Sequence, residues 1–455
     1  MSNTTAPTEN IMGTAPVGKL LMKMALPIIA SMLVQALYNI VDSVFVAQIN
    51  EYALTAVSLA FPLQNIIIAA ASGTMVGVNA LLSRYLGERR KKEVDSVAIH
   101  GVFLSIVISV IFLILAFIIV DPFVSAQSEA ADPLIHEYGV TYMTICCAMS
   151  IGICMETCFE RLLNSTGKTN LTMISQMIGA GFNIAFDPIL IFGLLGFPKM
   201  GVTGAAVATV TGQCLAAVIA FFLNKRKNTE ITLSFKGFRP DGSMIKRIYQ
   251  IGVPSIIMVG ISSIMSFAMN VILNSFSSTA VAVFGVYFKI SSIIYFPVFG
   301  VGSAVIPIVA YNYGARKKER VKRAVFVGNV ASMCFILVGA VLFWTIPDKI
   351  LLLFNASENM LEIGVPALRI IGISFLAAGY CINISSVLQA LGSAFYSMIV
   401  SICRQLVVLL PAAWILAHFF GLQAVWWCYP IAEVSAVVLN IIFYRKVYRE
   451  KVAVL

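Results

Sequence analysis

Twelve hydrophobic runs recur along this chain, each of roughly 20 residues or more, long enough to cross a bilayer as a helix. They fall at about 20–48, 53–83, 95–121, 134–160, 169–195, 201–223, 248–275, 280–312, 321–346, 364–390, 394–418 and 422–444. Backbone in hydrocarbon must satisfy its own hydrogen bonds, which leaves helices or a closed barrel. No alternating period-2 pattern competes, so these are helices and not barrel strands. Only 11% of the residues are charged, where a soluble domain has about 25%. The expected fold is all-α and integral to a membrane.

Charge placement sets the expected orientation. Basic clusters lie at Lys19/Lys23, Arg84 to Lys92, Arg161/Lys168, Lys225 to Arg247, Arg316 to Arg323 and Arg445 to Lys451. Each follows an even-numbered span or sits at a terminus. The alternate loops are acidic or neutral, with Glu51, then Asp121, Glu129, Asp132 and Glu137, then Asp348, Glu358 and Glu362; Lys199 and Lys349 are the basic exceptions. The positive-inside rule then puts both termini in the cytoplasm of a multi-pass cell-membrane protein. The net charge of +10 serves topology and anionic lipid headgroups, so the bilayer is the expected partner and nucleic acid is not. Residues 1–18 are polar and lack the basic start and short apolar core of a signal peptide. They are expected to be a disordered cytoplasmic tail, as are residues 446–455 to be a cytoplasmic tail.

The chain repeats itself. A shift of 227 residues aligns Pro27 with Pro254, Ala53 with Ala280, Phe61 with Phe288, Gly73 with Gly300, Gly87 with Gly314 and Arg89 with Arg316. A shift of 225 aligns Gly167 with Gly392. The expected lobes are residues 19–223 (spans 1–6) and 248–445 (spans 7–12), joined by a hydrophilic cytoplasmic linker at 224–247. Six spans return each half to its starting side, so the repeats are parallel and pseudo-symmetric, a plan known in transporters. A channel or membrane-embedded enzyme does not need it.

Polar residues inside the spans are costly and mark functional positions. In span 1, Gln35, Tyr38, Asn39 and Asp42 fall at i, i+3, i+4 and i+7, one stripe on one helix face. Span 5 carries Gln176, Asn183 and Asp187, with Pro188 next. Asp42 precedes Gln48 by six residues and Asp187 precedes Leu195 by eight. These offsets are about 9 and 12 Å on a helical rise, so the carboxylates share a depth in one lobe. Two nearby carboxylates make a proton site; with Asn183 adding an oxygen they make a hard-cation site, here for Na⁺. The equivalent positions in the second half are Met269 and Ala412, so coupling is expected in the first half alone.

Other intramembrane groups carry weaker signals. Lys289 can reach a cavity or snorkel to the interface. Arg404 and Glu433 are expected to pair structurally. Glu156 and Glu160, at i and i+4 beside Arg161, fit a cytoplasmic gate or a structural ion pair equally. The small residues Gly201, Gly204, Ala205 and Ala208 of span 6 allow close packing, which would bring Thr209, near Gln213, toward Asp187. The 19 methionines suit a core or an adaptable ligand surface. The nine cysteines lie in apolar runs without metal-ligand spacing. No Walker A sequence and no catalytic motif is present, so neither ATP nor an enzyme activity is expected.

The runs LPIIASMLVQALYNIVDSVFVA, FERLLNSTGKT, FNIAFDPILIFG and GVTGAAVAT together resemble the multidrug and toxic compound extrusion (MATE) transporters. The likeness is to the DinF-like branch, with its MepA-like bacterial members, and it spans nearly the whole chain. It implies twelve transmembrane helices in two six-helix lobes forming a V. It implies export of organic cations and amphipathic drugs by alternating access, driven by H⁺ or Na⁺, with no other cofactor and a monomeric protein. Carried over by position, Asp42, Asn183, Asp187 and Thr209 would form the cation site, with Pro27 and Pro188 as bend points. Gln35, Tyr38, Asn39 and Gln176, with Tyr138, Tyr142 and Lys289, would face the substrate cavity. A lipid-linked oligosaccharide flippase of the same superfamily is the alternative, and it would line its cavity with several Arg or Lys.

Overall fold

The structure is a computed structural model that describes residues 9–128 and 133–455. Residues 1–8 of the expected tail, and Glu129 and Asp132 of an acidic loop, lie outside the described residues. Among the described residues there are helices and no strands. In order they are α1 (Ile11–Thr14), α2 (Val17–Ala47), α3 (Glu51–Gly87), α4 (Lys91–Ile118), α5 (Val120–Ser128), α6 (Pro133–Ala148), α7 (Ile151–Ser165), α8 (Thr169–Phe192) and α9 (Val202–Lys227). The second half follows with α10 (Gly242–Asn274), α11 (Ser278–Gly314), α12 (Lys318–Thr345), α13 (Pro347–Leu352), α14 (Glu358–Ala390), α15 (Ala394–Ile402), α16 (Leu410–Phe420), α17 (Leu422–Val425) and α18 (Cys428–Val447). A π-helical turn, Cys403–Leu409, joins α15 to α16. Among the described residues, eleven segments are long and apolar enough to cross a membrane alone, and α6 with α7, bent by 42°, makes the twelfth. The twelve expected spans are therefore present, and this is an integral membrane fold.

The internal repeat reaches the backbone. Asn50 caps α3 by accepting from Ala53 N at 2.7 Å; its counterpart Ser277 caps α11 by accepting from Ala280 N at 3.1 Å. Such side-chain oxygens satisfy an amide that the first helical turn leaves orphaned. Arg89 and Arg316, also 227 apart, both turn through the left-handed region, at φ 58° and 55°. That conformation is uncommon outside glycine, so the two basic loops follow one path.

Two compact units pack separately. One is Ala30–Ile256, and the other joins Met1–Ile29 to Ile257–Leu455. The division therefore runs through helices α2 and α10 and not through the hydrophilic stretch 224–247. The two crossing points, Ile29 and Ile256, obey the repeat, lying 227 residues apart. Ile29 lies against Gly300 and Ile256 against Gly73, and each glycine leaves room that a Cβ would fill.

The tails depart from expectation. Residues 9–18 form no disordered tail but a docked strap. Met12 is fully buried, its carbonyl accepts from Asn312 Nδ2 and Arg320 Nη2 at 3.0 Å each, and Arg320 also donates to Ala15 O at 2.7 Å. Lys317 pairs with Glu9. Polar composition signalled solvent, but these few side chains and backbone carbonyls satisfy Asn312 at the end of α11 and the cations Lys317 and Arg320 at the start of α12. At the other terminus the helix runs on through Val452, and Lys451 Nζ donates to Leu391 O at 2.7 Å. The stretch between α9 and α10 is also pinned: Lys168 bonds Glu230 at 2.6 Å, and Asp241 N donates to His100 Nε2 at 2.9 Å.

Candidate functional site

The polar face of α2 and that of α8 meet within the Ala30–Ile256 unit. Asp42 precedes Ala47, the last residue of α2, by five; Asp187 precedes Phe192, the last residue of α8, by five. Both are thus about 7–8 Å from their helix ends. Helix α8 stops just beyond Asp187 because Gly193 takes a left-handed φ of 74°, a conformation suited to a helix C-terminus. A Cβ at Gly193 would lie 2.7 Å from Lys199 N, so no larger residue fits that reversal.

Helix α9 approaches α8 through small residues. A Cβ on Gly204 would meet the Leu190 carbonyl at 2.7 Å, and one on Gly212 would meet Gly179 O at 2.9 Å. This approach carries Thr209 into contact. Asn183 Nδ2 donates to Asp187 Oδ1 at 3.3 Å and to Thr209 Oγ1 at 3.3 Å. The carboxyls of Asp42 and Asp187 are within hydrogen-bonding reach of each other. Two ionised carboxylates offer only acceptors, so that contact is a hydrogen bond only when a proton sits between them. Asp42 Oδ1, Asp187 Oδ2 and Asn183 Oδ1 are buried with no donor among the described residues. Buried polar atoms are normally satisfied. The arrangement leaves oxygens for a proton or a small oxygen-seeking cation, and Asp42, Asn183, Asp187 and Thr209 are all brought together.

Beside this group lies a cavity of about 20 Å³ lined by Gln35, Tyr38, Gln176, Asn183, Thr209, Gln213 and Glu156, among others. A volume of about 10–15 Å³ holds one water, whereas drug pockets run to about 300–1,000 Å³. In this state the cavity admits a water-sized guest. Tyr38 from α2 and Gln213 from α9 line it from opposite helices.

The remaining expected positions lie elsewhere. Asn39 is on the exposed face of α2 and does not line the cavity. Tyr142 is buried, with Gln64 Nε2 donating to its hydroxyl at 3.4 Å, and Tyr138 is half-buried on the same helix. Lys289 belongs to the other compact unit, exposed on α11. Arg404 and Glu433 do pair, at 2.7 Å. Sequence reasoning missed Gln64, and it left Glu156 outside the group that lines the cavity with Gln35 and Gln176. A carboxylate within an apolar run was the available signal for Glu156.

A family model described as MatE matches the chain twice, over residues 27–189 and 254–415, in register with the internal repeat. The chain is 26% identical over 416 residues to the multidrug export protein MepA of Staphylococcus haemolyticus, covering 91% of this chain and 90% of that one. It is 26% identical over 428 residues to the MepA of Staphylococcus aureus strain MRSA252, covering 92% and 91%. Among solved structures it is similar to an outward-facing multidrug resistance MATE family transporter of the MOP superfamily, with a TM-score of 0.89, 26% identity and coverage of 96% and 97%. It is equally similar to a MOP superfamily transporter from Pyrococcus furiosus described as having a binding pocket of reverse polarity and a suggested different function, with a TM-score of 0.89, 26% identity and coverage of 97% and 98%.

Proposed function

The chain belongs to the MatE family, and from that premise we propose that it exports small organic cations and amphipathic drugs in exchange for an inward-moving H⁺ or Na⁺. The observation that carries the coupling is the buried meeting of Asp42 with Asp187, bridged to Thr209 through Asn183. When both carboxylates are charged they repel, and a proton or cation between them relieves that repulsion. Loading the site therefore favours a different approach of α2 to α8 from the empty state, and a ligand shifts such an equilibrium by its differential affinity. Drug binding and ion binding then oppose each other by linkage.

The MepA relatives are multidrug export proteins. The cavity lining contains no Lys or Arg, which speaks against a diphosphate-carrying lipid in this unit. The distribution of Lys and Arg supports cytoplasmic termini in the cell membrane. The reading is tested in everted vesicles, with pH and Na⁺ gradients imposed separately and efflux of a fluorescent organic cation followed. One gradient is expected to accelerate transport; acceleration by neither would remove the antiport reading and leave an exporter driven otherwise.

A further inference from the structure

We propose that Glu156 and Glu160 form a second cation site on α7, linked to the Asp42–Asp187 pair by the small cavity, and that the coupling ion travels by way of it. This extends, and rests on, the reading of the chain as a cation-coupled exporter.

The two glutamates are four residues apart on one helix, and each is only 8% exposed. Like charges at that spacing repel, and buried charges without a partner are costly. No Lys or Arg forms an ion pair with either among the described residues, although Arg161 is adjacent to Glu160 in sequence. Glu160 Oε1 is buried with no donor among the described residues. Its other oxygen accepts from Gln176 Nε2 at 3.3 Å. An acidic pair built this way is completed by what a proton or a small monovalent cation supplies: a positive charge and a partner for a free carboxylate oxygen.

A cavity lies between the two acidic pairs, opening onto Glu156 of one and onto the residues that hold Asp187 of the other. Glu156 and Gln176 line it, and so do Asn183 and Thr209, the residues that hold Asp187. Gln176 and Asp187 are eleven residues apart on α8, about 16 Å along the axis, so no direct contact connects the two pairs. The cavity occupies the ground between them, with Tyr38 from α2 and Gln213 from α9 also lining it. The ionisable groups within electrostatic reach of Glu156 are Tyr38 from α2, Cys214 from α9 and Glu160. Arg161 is within electrostatic reach of Glu160 without forming an ion pair with it. The glutamates lie toward the basic end of the unit, the end proposed as cytoplasmic, so the second site stands where an inward-moving ion leaves.

The test uses purified full-length protein and two readouts. Infrared pH titration follows protonated-carboxyl bands, and binding of radiolabelled Na⁺ follows the metal, so the two arms separate the two ions. Asp187→Asn is expected to keep a cation-dependent signal, which adding Glu156→Gln or Glu160→Gln in that background removes. In reconstituted vesicles both glutamate variants are expected to lose about tenfold or more of gradient-driven efflux, while Glu160→Gln, whose residue does not line the cavity, keeps drug–drug exchange, which moves no ion. Gln176→Leu, which removes only the bond to Glu160, serves if a glutamate variant misfolds; it is expected to weaken gradient-driven efflux in the same direction. Absence of any cation-linked signal from these carboxylates would overturn the proposal, as would wild-type efflux by folded variants. If wild-type efflux responds to neither gradient, the coupling reading fails, and the infrared and Na⁺ arms still decide the site.

Discussion

Ile29 lies against Gly300 so closely that a Cβ added to the glycine would sit 2.4 Å from the Ile29 Cγ1. The equivalent contact, Ile256 against Gly73, differs in kind: a Cβ on Gly73 would meet not only the Ile256 side chain at 2.5 Å but its backbone N at 2.7 Å. These twin contacts mark where each half of the chain contributes the start of one helix to the unit built by the other half.

That difference separates two otherwise identical substitutions. Gly300→Ala clashes with a side chain, and shortening the neighbour in Ile29→Ala is expected to restore stability. Gly73→Ala clashes with backbone, so Ile256→Ala is not expected to rescue it. Overpacking of this kind typically costs about 1–3 kcal/mol. Thermal unfolding of the four variants in detergent checks it; equal rescue on both sides would contradict the geometry.

Asp42 and Asp187 share one charge-bearing contact, so either neutral variant removes the same function. Asp42→Asn and Asp187→Asn are each expected to cut gradient-driven efflux by about 10–100-fold, the usual cost of disturbing an ion site. The double variant is expected to be little worse than either single one, because residues acting as a unit are non-additive. Efflux rates normalised to protein in the membrane decide this. A double variant with the product of two independent losses would mean separate roles.

Arg404 reaches Glu433 at 2.7 Å from a π-helical turn, with side-chain exposures of 24% and 9%. Removing one partner strands the other's charge. Glu433→Ala is expected to cost about 3–5 kcal/mol, while Arg404→Met with Glu433→Leu recovers most of it. Unfolding midpoints of the single and double variants provide the comparison. A double variant as unstable as the single one would show that the pair itself, and not the stranded charge, sets the stability.

Arg320 holds the N-terminal strap through the carbonyls of Met12 and Ala15. Arg320→Ala is expected to free residues 9–16 for proteolysis, with drug efflux retained. Limited digestion followed by mass spectrometry tests this. Unchanged protection would mean that Asn312 and Lys317 suffice.

Much of the candidate site was legible because rarity is a local signal. Asp42, Asn183 and Asp187 stand out in apolar runs, and the 3.6-residue period puts each set on one helix face. Thr209 was reached through the small residues around it, which only packing could turn into a contact. Glu156 was read apart from Gln35 and Gln176, because which helix faces share a cavity depends on how α2, α7, α8 and α9 pack. Asn39 lies on the stripe with Asp42 by spacing but points to the exposed face, since four positions span a wider arc than the cavity covers.

The sequence by itself determined the number of membrane spans and the parallel repeat, since span length, charge and turn residues act within a few positions of one another. Only the tertiary structure decided that the units divide at Ile29 and Ile256, that residues 9–18 dock, and that Glu156 opens onto the same cavity as Asn183. Those outcomes depend on close contacts between residues tens to hundreds of positions apart. Such contacts are selected by shape at glycines and by unsatisfied carbonyls, which hydropathy along the chain does not record.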